Sequence, residues 1–173
     1  NMDRIITGAF ICVFLVLTMA GCWNPFAPTK GLLDGAISLT LTEQRTPDEV
    51  LQNFRYAYIY RDSLVYSELF DTSFIFLYYD PGIVGVGGYN YWGRDTELRT
   101  TGRLFRAVDH FTLVWNATTR QDTSQNGEIS ITKSFDLSAE GFTPIKGNAV
   151  FDFVQHSTSG KWKIKRWQDE SFF

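Results

Sequence analysis

From Phe111 onward the apolar residues return at every second position, the period of a half-buried β-strand. Phe111, Leu113 and Trp115 share one face of a first run, with Asp109 at its head on the same side. Ile129, Ile131, Phe135 and Leu137 share a face of the second. Ala149, Phe151 and Phe153 line a third, and Trp162 and Ile164 begin a fourth. Between the runs stand Gln125-Asn126-Gly127, Glu140-Gly141 and Ser159-Gly160, residues that turn a chain. The pattern predicts a four-strand antiparallel meander with one apolar face, and such a face needs a cover.

The cover is written upstream. Thr46-Pro47-Asp48-Glu49 is a capping box with proline in the first turn. Val50, Leu51, Phe54, Ala57 and Tyr58 then recur at helical spacing. A second short helix is predicted over about Asp62 to Phe70, with Leu64, Val65 and Leu69 continuing the stripe. Phe74 to Tyr79 reads as a strand closed by Asp80-Pro81-Gly82. The glycine-punctuated stretch Gly82 to Gly93, around Tyr89, Tyr91 and Trp92, predicts a loop. A third helix fits Arg94 to Val108, with Leu98, Phe105 and Val108 inward and Asp95 and Glu97 at its positive end. Residues that are 44% hydrophobic and 16% aromatic supply one substantial core. The class is α+β, three helices against a curved, mostly antiparallel sheet.

The N-terminal stretch is an address. Arg4 precedes an apolar run from Ala9 to Leu17, and Thr18-Met19-Ala20-Gly21-Cys22 follows, the layout of a secretory signal peptide. The run is too short for a stable spanning helix. Ala20-Gly21-Cys22 resembles the lipobox of bacterial lipoproteins, departing from it at Met19, where the motif usually has Leu, and at Asp3 in the basic region. The resemblance implies cleavage before Cys22 and lipidation of its thiol. On that reading residues 1–21 are the signal peptide and 22–45 the lipidated cysteine and a tether punctuated by Pro25 and Pro28. Residues 46–173 are then the domain. The membrane is a partner through the lipid. Trp23 after the cysteine, where Asp would retain the protein at the inner membrane, implies the outer membrane facing the periplasm in a diderm cell. Cys12 lies in the leader and the Cys22 sulfur is blocked, so the domain must hold by packing, without a disulfide.

The element order, opened by Thr-Pro-Asp-Glu and closed by Gly160-Lys161-Trp162-Lys163-Ile164-Lys165-Arg166-Trp167-Gln168-Asp169, resembles the NTF2-like superfamily of cystatin-like and SnoaL-like cones from about Thr46 to Phe173. It is most similar to a lipoprotein branch of unassigned function, where a helix running into Tyr58, Arg61 and Asp62 leads to a Phe-rich strand. The resemblance implies a conical cavity between helices and sheet, and a homodimer through the outer sheet face. Such cones host isomerases, dehydratases and plain binders, so the fold by itself names no reaction.

An enzyme of this shape needs an acid or base in the cone. Asp109 is the candidate general base, because a carboxylate at the edge of an apolar pocket has a raised pKa. Tyr58 is the candidate hydrogen-bond donor, and Phe54, Tyr58, Trp92, Phe111, Leu113, Trp115 and Trp162 are the candidate pocket lining. The commoner fates are Asp109 at a solvent rim and Tyr58 satisfied in the core. His110 and His156 read as surface residues, Lys133 as a side chain that either exits at an edge or pairs with an acid, and Asp169-Glu170 as solvation of the chain end. Lys161, Lys163 and Lys165 share a strand face that is either solvated or set against anionic headgroups. Two histidines make no metal site of ordinary spacing, and neither a phosphate loop nor a serine elbow is present, so no metal or cofactor is expected. A net charge of −3 without a basic stripe argues against nucleic acid. Three readings remain: an anchored, non-catalytic binder of a small apolar ligand or an envelope protein, an isomerase- or dehydratase-type enzyme using Asp109 and Tyr58, and a structural subunit covered by another protein on a sheet face that includes Phe151 or Val150 and Val154.

Overall fold

A computed structural model describes residues 39–83 and 87–172. The lipobox, Cys22 and most of the proposed tether lie outside the described residues.

Thr46 is extended and its hydroxyl accepts the Glu49 N–H at 3.2 Å, which starts helix α1, Pro47–Tyr60. The Glu49 carboxylate reaches back to the Arg45 N–H at 2.7 Å, one residue beyond the usual box partner. The helix ends at Arg61, a left-handed C-cap with φ 55° whose N–H meets the Ala57 and Tyr58 carbonyls. Asp62 immediately caps α2, Ser63–Glu68, by accepting the Leu64 and Val65 N–H groups at 3.0 Å each. Then follow β1 (Phe70–Asp80), β2 (Gly88–Gly93), α3 (Arg94–Ala107), β3 (Phe111–Thr123), β4 (Ile129–Ala139), β5 (Ile145–Gln155) and β6 (Trp162–Phe172). The strands form one sheet in the order β2-β1-β6-β5-β4-β3. The β3–β6 meander is there as the alternation predicts, and β6 continues the sheet by pairing with β1 in parallel. This is a curved, unclosed mixed sheet with helices against it, an α+β fold.

The structure departs from the sequence reading at three places. The expected Gly82–Gly93 loop contains β2, antiparallel to β1 from Asp80↔Gly88 to Ile75↔Gly93. Its glycines hid a short alternation in which Trp92 turns inward onto Phe76, with ring centroids 4.6 Å apart, while Tyr89 and Tyr91 face out. Strand β1 begins at Phe70 rather than Phe74, with a register shift against β6 between Phe70 and Ile75. Residues 39–45 pack as part of the domain instead of forming tether. Asn53, buried on α1, accepts the Thr42 N–H at 2.8 Å and returns a bond to the Thr42 carbonyl at 3.1 Å. Gln44 is buried and its carbonyl accepts the Trp162 N–H at 2.8 Å, so this segment finishes the start of β6.

The core is aromatic and centred on Phe54 of α1. Its ring meets those of Tyr58, Tyr66, Phe70, Trp115, Phe151 and Trp167 at centroid distances of 5.1–6.4 Å. Most are edge-on, the geometry that ring quadrupoles favour. The start of β5 is set by a glycine. A Cβ on Gly147 would lie 2.5 Å from the Ser171 Cα and 2.7 Å from the Glu170 carbonyl oxygen. Both are backbone atoms and cannot swing aside, so Gly147→Ala is expected to cost about 1–3 kcal/mol, read as a lowered urea midpoint at unchanged slope.

Candidate functional site

Phe54 and Tyr58 stand one turn apart on α1 and point at the concave sheet face. With Leu113, Trp115, Phe135, Leu137, Ala149 and Trp167 they enclose a cavity of about 20 Å³. That is space for about one water, against ~300–1,000 Å³ in sites that hold drug-sized ligands. The filling is pinned, because the Trp115 indole donates to the Leu51 carbonyl at 2.9 Å and its ring packs edge-on against Phe54. Of the expected lining, Phe54, Tyr58, Leu113 and Trp115 reach the cavity. Phe111 is buried beside it against Tyr58 and Phe105, Trp92 belongs to the β1–β2 edge, and Trp162 sits where β6 begins, next to Gln44. Phe135, Leu137, Ala149 and Trp167 complete the wall. The first three stood on predicted inward faces, but nothing in their spacing separates cavity wall from core.

Asp109 is not in the cone. Its side chain is 84% exposed and lies 3.5 Å from the Arg61 guanidinium. It occupies the turn after α3, two residues before β3 starts at Phe111, so the strand alternation does not extend to it. An exposed pair of this kind contributes about 0–1 kcal/mol, and its carboxylate faces water instead of the cone. His110 and His156 are exposed as expected, and Lys133 pairs with Asp48 at 3.5 Å.

Two acids that the sequence reading passed over are held inside. Glu97, in the first turn of α3, is only 3% exposed. It accepts the Tyr66 hydroxyl at 2.7 Å, the Thr101 hydroxyl at 2.8 Å and the Trp92 indole N–H at 2.7 Å. The Tyr58 hydroxyl joins the same cluster through Tyr66 and Thr101. Burial, and then the nearby Glu97 carboxylate, pushes the Tyr58 hydroxyl well above its ordinary range, and burial does the same for Tyr66. Both stay protonated, and Tyr58 serves a structural network rather than an open pocket. The second acid is Asp169. Register shifts between Asp152 and Phe153 as β6 passes Lys165. Beyond that bulge Asp169 stands opposite Ala149, a cavity-lining residue, and so faces the cone instead of solvating the chain end. It is half-buried and accepts the Ser171 N–H at 3.1 Å and the Ser171 hydroxyl. Burial pushes its carboxyl above the usual Asp range despite those bonds. The buried indole N–H of Trp167, two residues earlier, meets no acceptor among the described residues. The signal was legible as Trp167-x-Asp169-x-Ser171, had the alternation been carried past Ile164 with one residue skipped.

No family model matches the chain, and no curated protein matches it in sequence. Solved structures do match in shape. An NTF2-like protein of unknown function from Shewanella baltica superposes with a TM-score of 0.51 at 13% identity, covering 73% of this chain and 90% of that one. An uncharacterized protein with a cystatin-like fold from Caulobacter vibrioides gives 0.57 at 11% identity, over 73% and 87%. The fold is NTF2-like. A Novosphingobium aromaticivorans protein provisionally assigned as a scytalone dehydratase gives 0.60 at 15% identity, over 76% and 85%. At such identities the likeness carries the NTF2-like architecture and no activity.

The two acids predict opposite effects. In Glu97→Gln an amide donor replaces one of two acceptor oxygens that face only donors. The expected loss is roughly 2–4 kcal/mol, visible in urea denaturation. For Asp169 the carboxyl value is higher folded than unfolded, so its protonated form favours folding at low pH. That stability is present below the unfolded value of about 3.9 and is lost as pH rises through the folded value. Asp169→Asn keeps an acceptor for Ser171 and removes the charge. It is expected to stabilise the domain at neutral pH, with the gain shrinking as the pH falls through the folded value and absent below about 3.9.

Proposed function

We propose that the chain is a cell-envelope lipoprotein, anchored through Cys22, whose NTF2-like domain works by binding a partner at its surface and not by turnover in the cone. The observation that supports this is the filled cavity. Trp115 is held across the cone by its bond to Leu51, and the remaining space takes no organic substrate. Asp109, the acid that the catalytic reading needed, faces water. An apolar ligand would have to displace Trp115 or Trp167. The outer sheet face, which an envelope protein or a second copy would cover, carries charge pairs such as Arg166–Asp152 at 2.6 Å and Lys146–Asp136 at 2.8 Å.

A second reading rests on Asp169. A raised carboxyl facing the cone, with the Trp167 N–H two residues away, is the acid and donor set from which isomerase- or dehydratase-type chemistry starts, and one structural neighbour carries a dehydratase name.

Native mass spectrometry of residues 39–173 separates the two. A mass equal to the bare polypeptide is expected. Extra mass that leaves on denaturation overturns the filled cone and favours the second reading, and a dimer peak makes a second copy the partner. The anchor has its own test. Cys22→Ser is expected to move the protein out of the membrane fraction of its host, and a variant that stays membrane-bound in mature form removes the lipid from the account.

A further inference from the structure

Charges in this domain are unevenly matched. Among the described residues, the lysines of β6 that stood out in the sequence are neutralised: Lys163 lies 3.7 Å from Glu68 and Lys165 2.6 Å from Glu128. Lys133, Lys146, Arg61 and Arg166 likewise have carboxylate partners. The arginines of α3 do not. Arg99, Arg103 and Arg106 are exposed and recur at i, i+4 and i+7, which places them on one helix face. No carboxylate among the described residues lies within ion-pair distance of any of the three. Arg99 bonds only the Thr96 hydroxyl, at 3.3 Å. Asp95, a turn earlier, is the one acid on that face.

Next to this stripe lies exposed apolar surface. Helix α2 packs alongside α3. The Arg94 guanidinium donates to the Ser67 carbonyl at 2.8 Å, and at Gly102 both the Ser63 hydroxyl and the Arg106 guanidinium close to 3.8 Å of the position a Cβ would take. Leu64 of α2 is 80% exposed. It shares an open groove of about 310 Å³ with Leu41, itself 52% exposed, with Glu68, whose carboxylate is the partner of Lys163, and with Lys161, another cation without an ion-pair partner among the described residues. Leu41 is two residues from Leu39, where the described chain begins.

We infer that the α2–α3 face, with Arg99, Arg103 and Arg106 beside Leu64 and Leu41, is a docking surface for the anionic headgroups of a lipid bilayer. Guanidinium forks match phosphate oxygens bidentately, and exposed leucines seat in the interfacial layer beneath them. Each arginine near an anionic leaflet is worth about a fivefold change in partitioning. That is weak alone, yet it suffices for a domain whose anchor already holds it at high effective concentration. The inference rests on the anchored reading for its biological sense, and its test does not use the anchor.

The test is vesicle co-sedimentation of residues 39–173, which contain all nine described elements and the aromatic core as one compact unit. The probes are vesicles of phosphatidylcholine alone or with about 30% phosphatidylglycerol. Wild type is expected on the anionic vesicles only, and to leave them at roughly 0.5 M salt. The R99Q/R103Q/R106Q variant should lose about a hundredfold and R103Q alone about fivefold. L64S should weaken binding, while K165Q, whose charge is already paired, should not. All these positions are exposed or ion-paired at the surface, and circular dichroism melting confirms that each variant is folded. Equal binding to both vesicle types, a triple variant that binds like wild type, or a loss in K165Q as large as in R103Q overturns the proposal. Polyphosphate binding that is tighter than vesicle binding and indifferent to L64S overturns the bilayer in favour of a soluble polyanion. The Cys22→Ser fractionation judges the anchor separately, so either result can fail without the other.

Discussion

Glu97 sits between α2, α3 and β2, and three donors from those three elements converge on it. A carboxylate buried without a cation beside it is tolerable only when its oxygens are fully bonded, and each donor is itself buried or half-buried and needs this acceptor. The dependence is mutual. Trp92 cannot leave Glu97 without freeing the β2 edge, and Tyr66 cannot leave it without loosening the ring contacts with Phe54, Phe70 and Phe105. The cluster therefore joins the outermost strand to the helical layer, a link that apolar contact alone would leave free to slide. It also fixes Tyr58, whose hydroxyl is drawn into the same set.

This arrangement decides what the cone can do. In an NTF2-like frame the space between α1 and the sheet can serve as a pocket or as a core, and the same aromatic residues suit either use. Here Trp115 and Trp167 both close on Phe54 edge-on, and the balance goes to packing. Asp169, the one carboxylate among the described residues that faces the remaining space, carries a desolvation cost that its two Ser171 bonds do not remove. A protein selected only for stability would place an amide there.

Much of the frame was legible in the residues. The Thr46–Glu49 cap, the inward stripe of α1 and the four alternating runs of the meander follow from local rules, because capping and period-2 burial are local physics. What failed to show was non-local. Strand β2 is specified by the partner that Trp92 finds in Phe76, sixteen positions earlier, and by the Glu97 carboxylate, while its own glycines argue for a loop. Residues 39–45 look like tether until Asn53 is seen to bond them. Asp109 enters the cone only if an alternation is extended two residues beyond the strand, and Asp169, which reads as solvation of the chain end, faces the cone because a bulge at Lys165 resets the parity. Candidate sites read by alternation are thus only as good as the strand boundaries and bulges beneath them.

The position of β6 has a consequence for how the chain comes to be folded at all. It is the ninth of the described elements, yet it lies between β1 and β5 in the interior of the sheet, and its neighbour β1 precedes it by some ninety residues. Until β6 has been synthesised, β1–β2 and β3–β5 are two separate ribbons, each with an open edge and an apolar face. Neither can hold the aromatic core by itself. Assembly is therefore set by one late long-range closure, the kind that makes folding slow and leaves partly made chains exposed to association. A domain that stays unfolded until β6 arrives also stays threadable until that strand has been made.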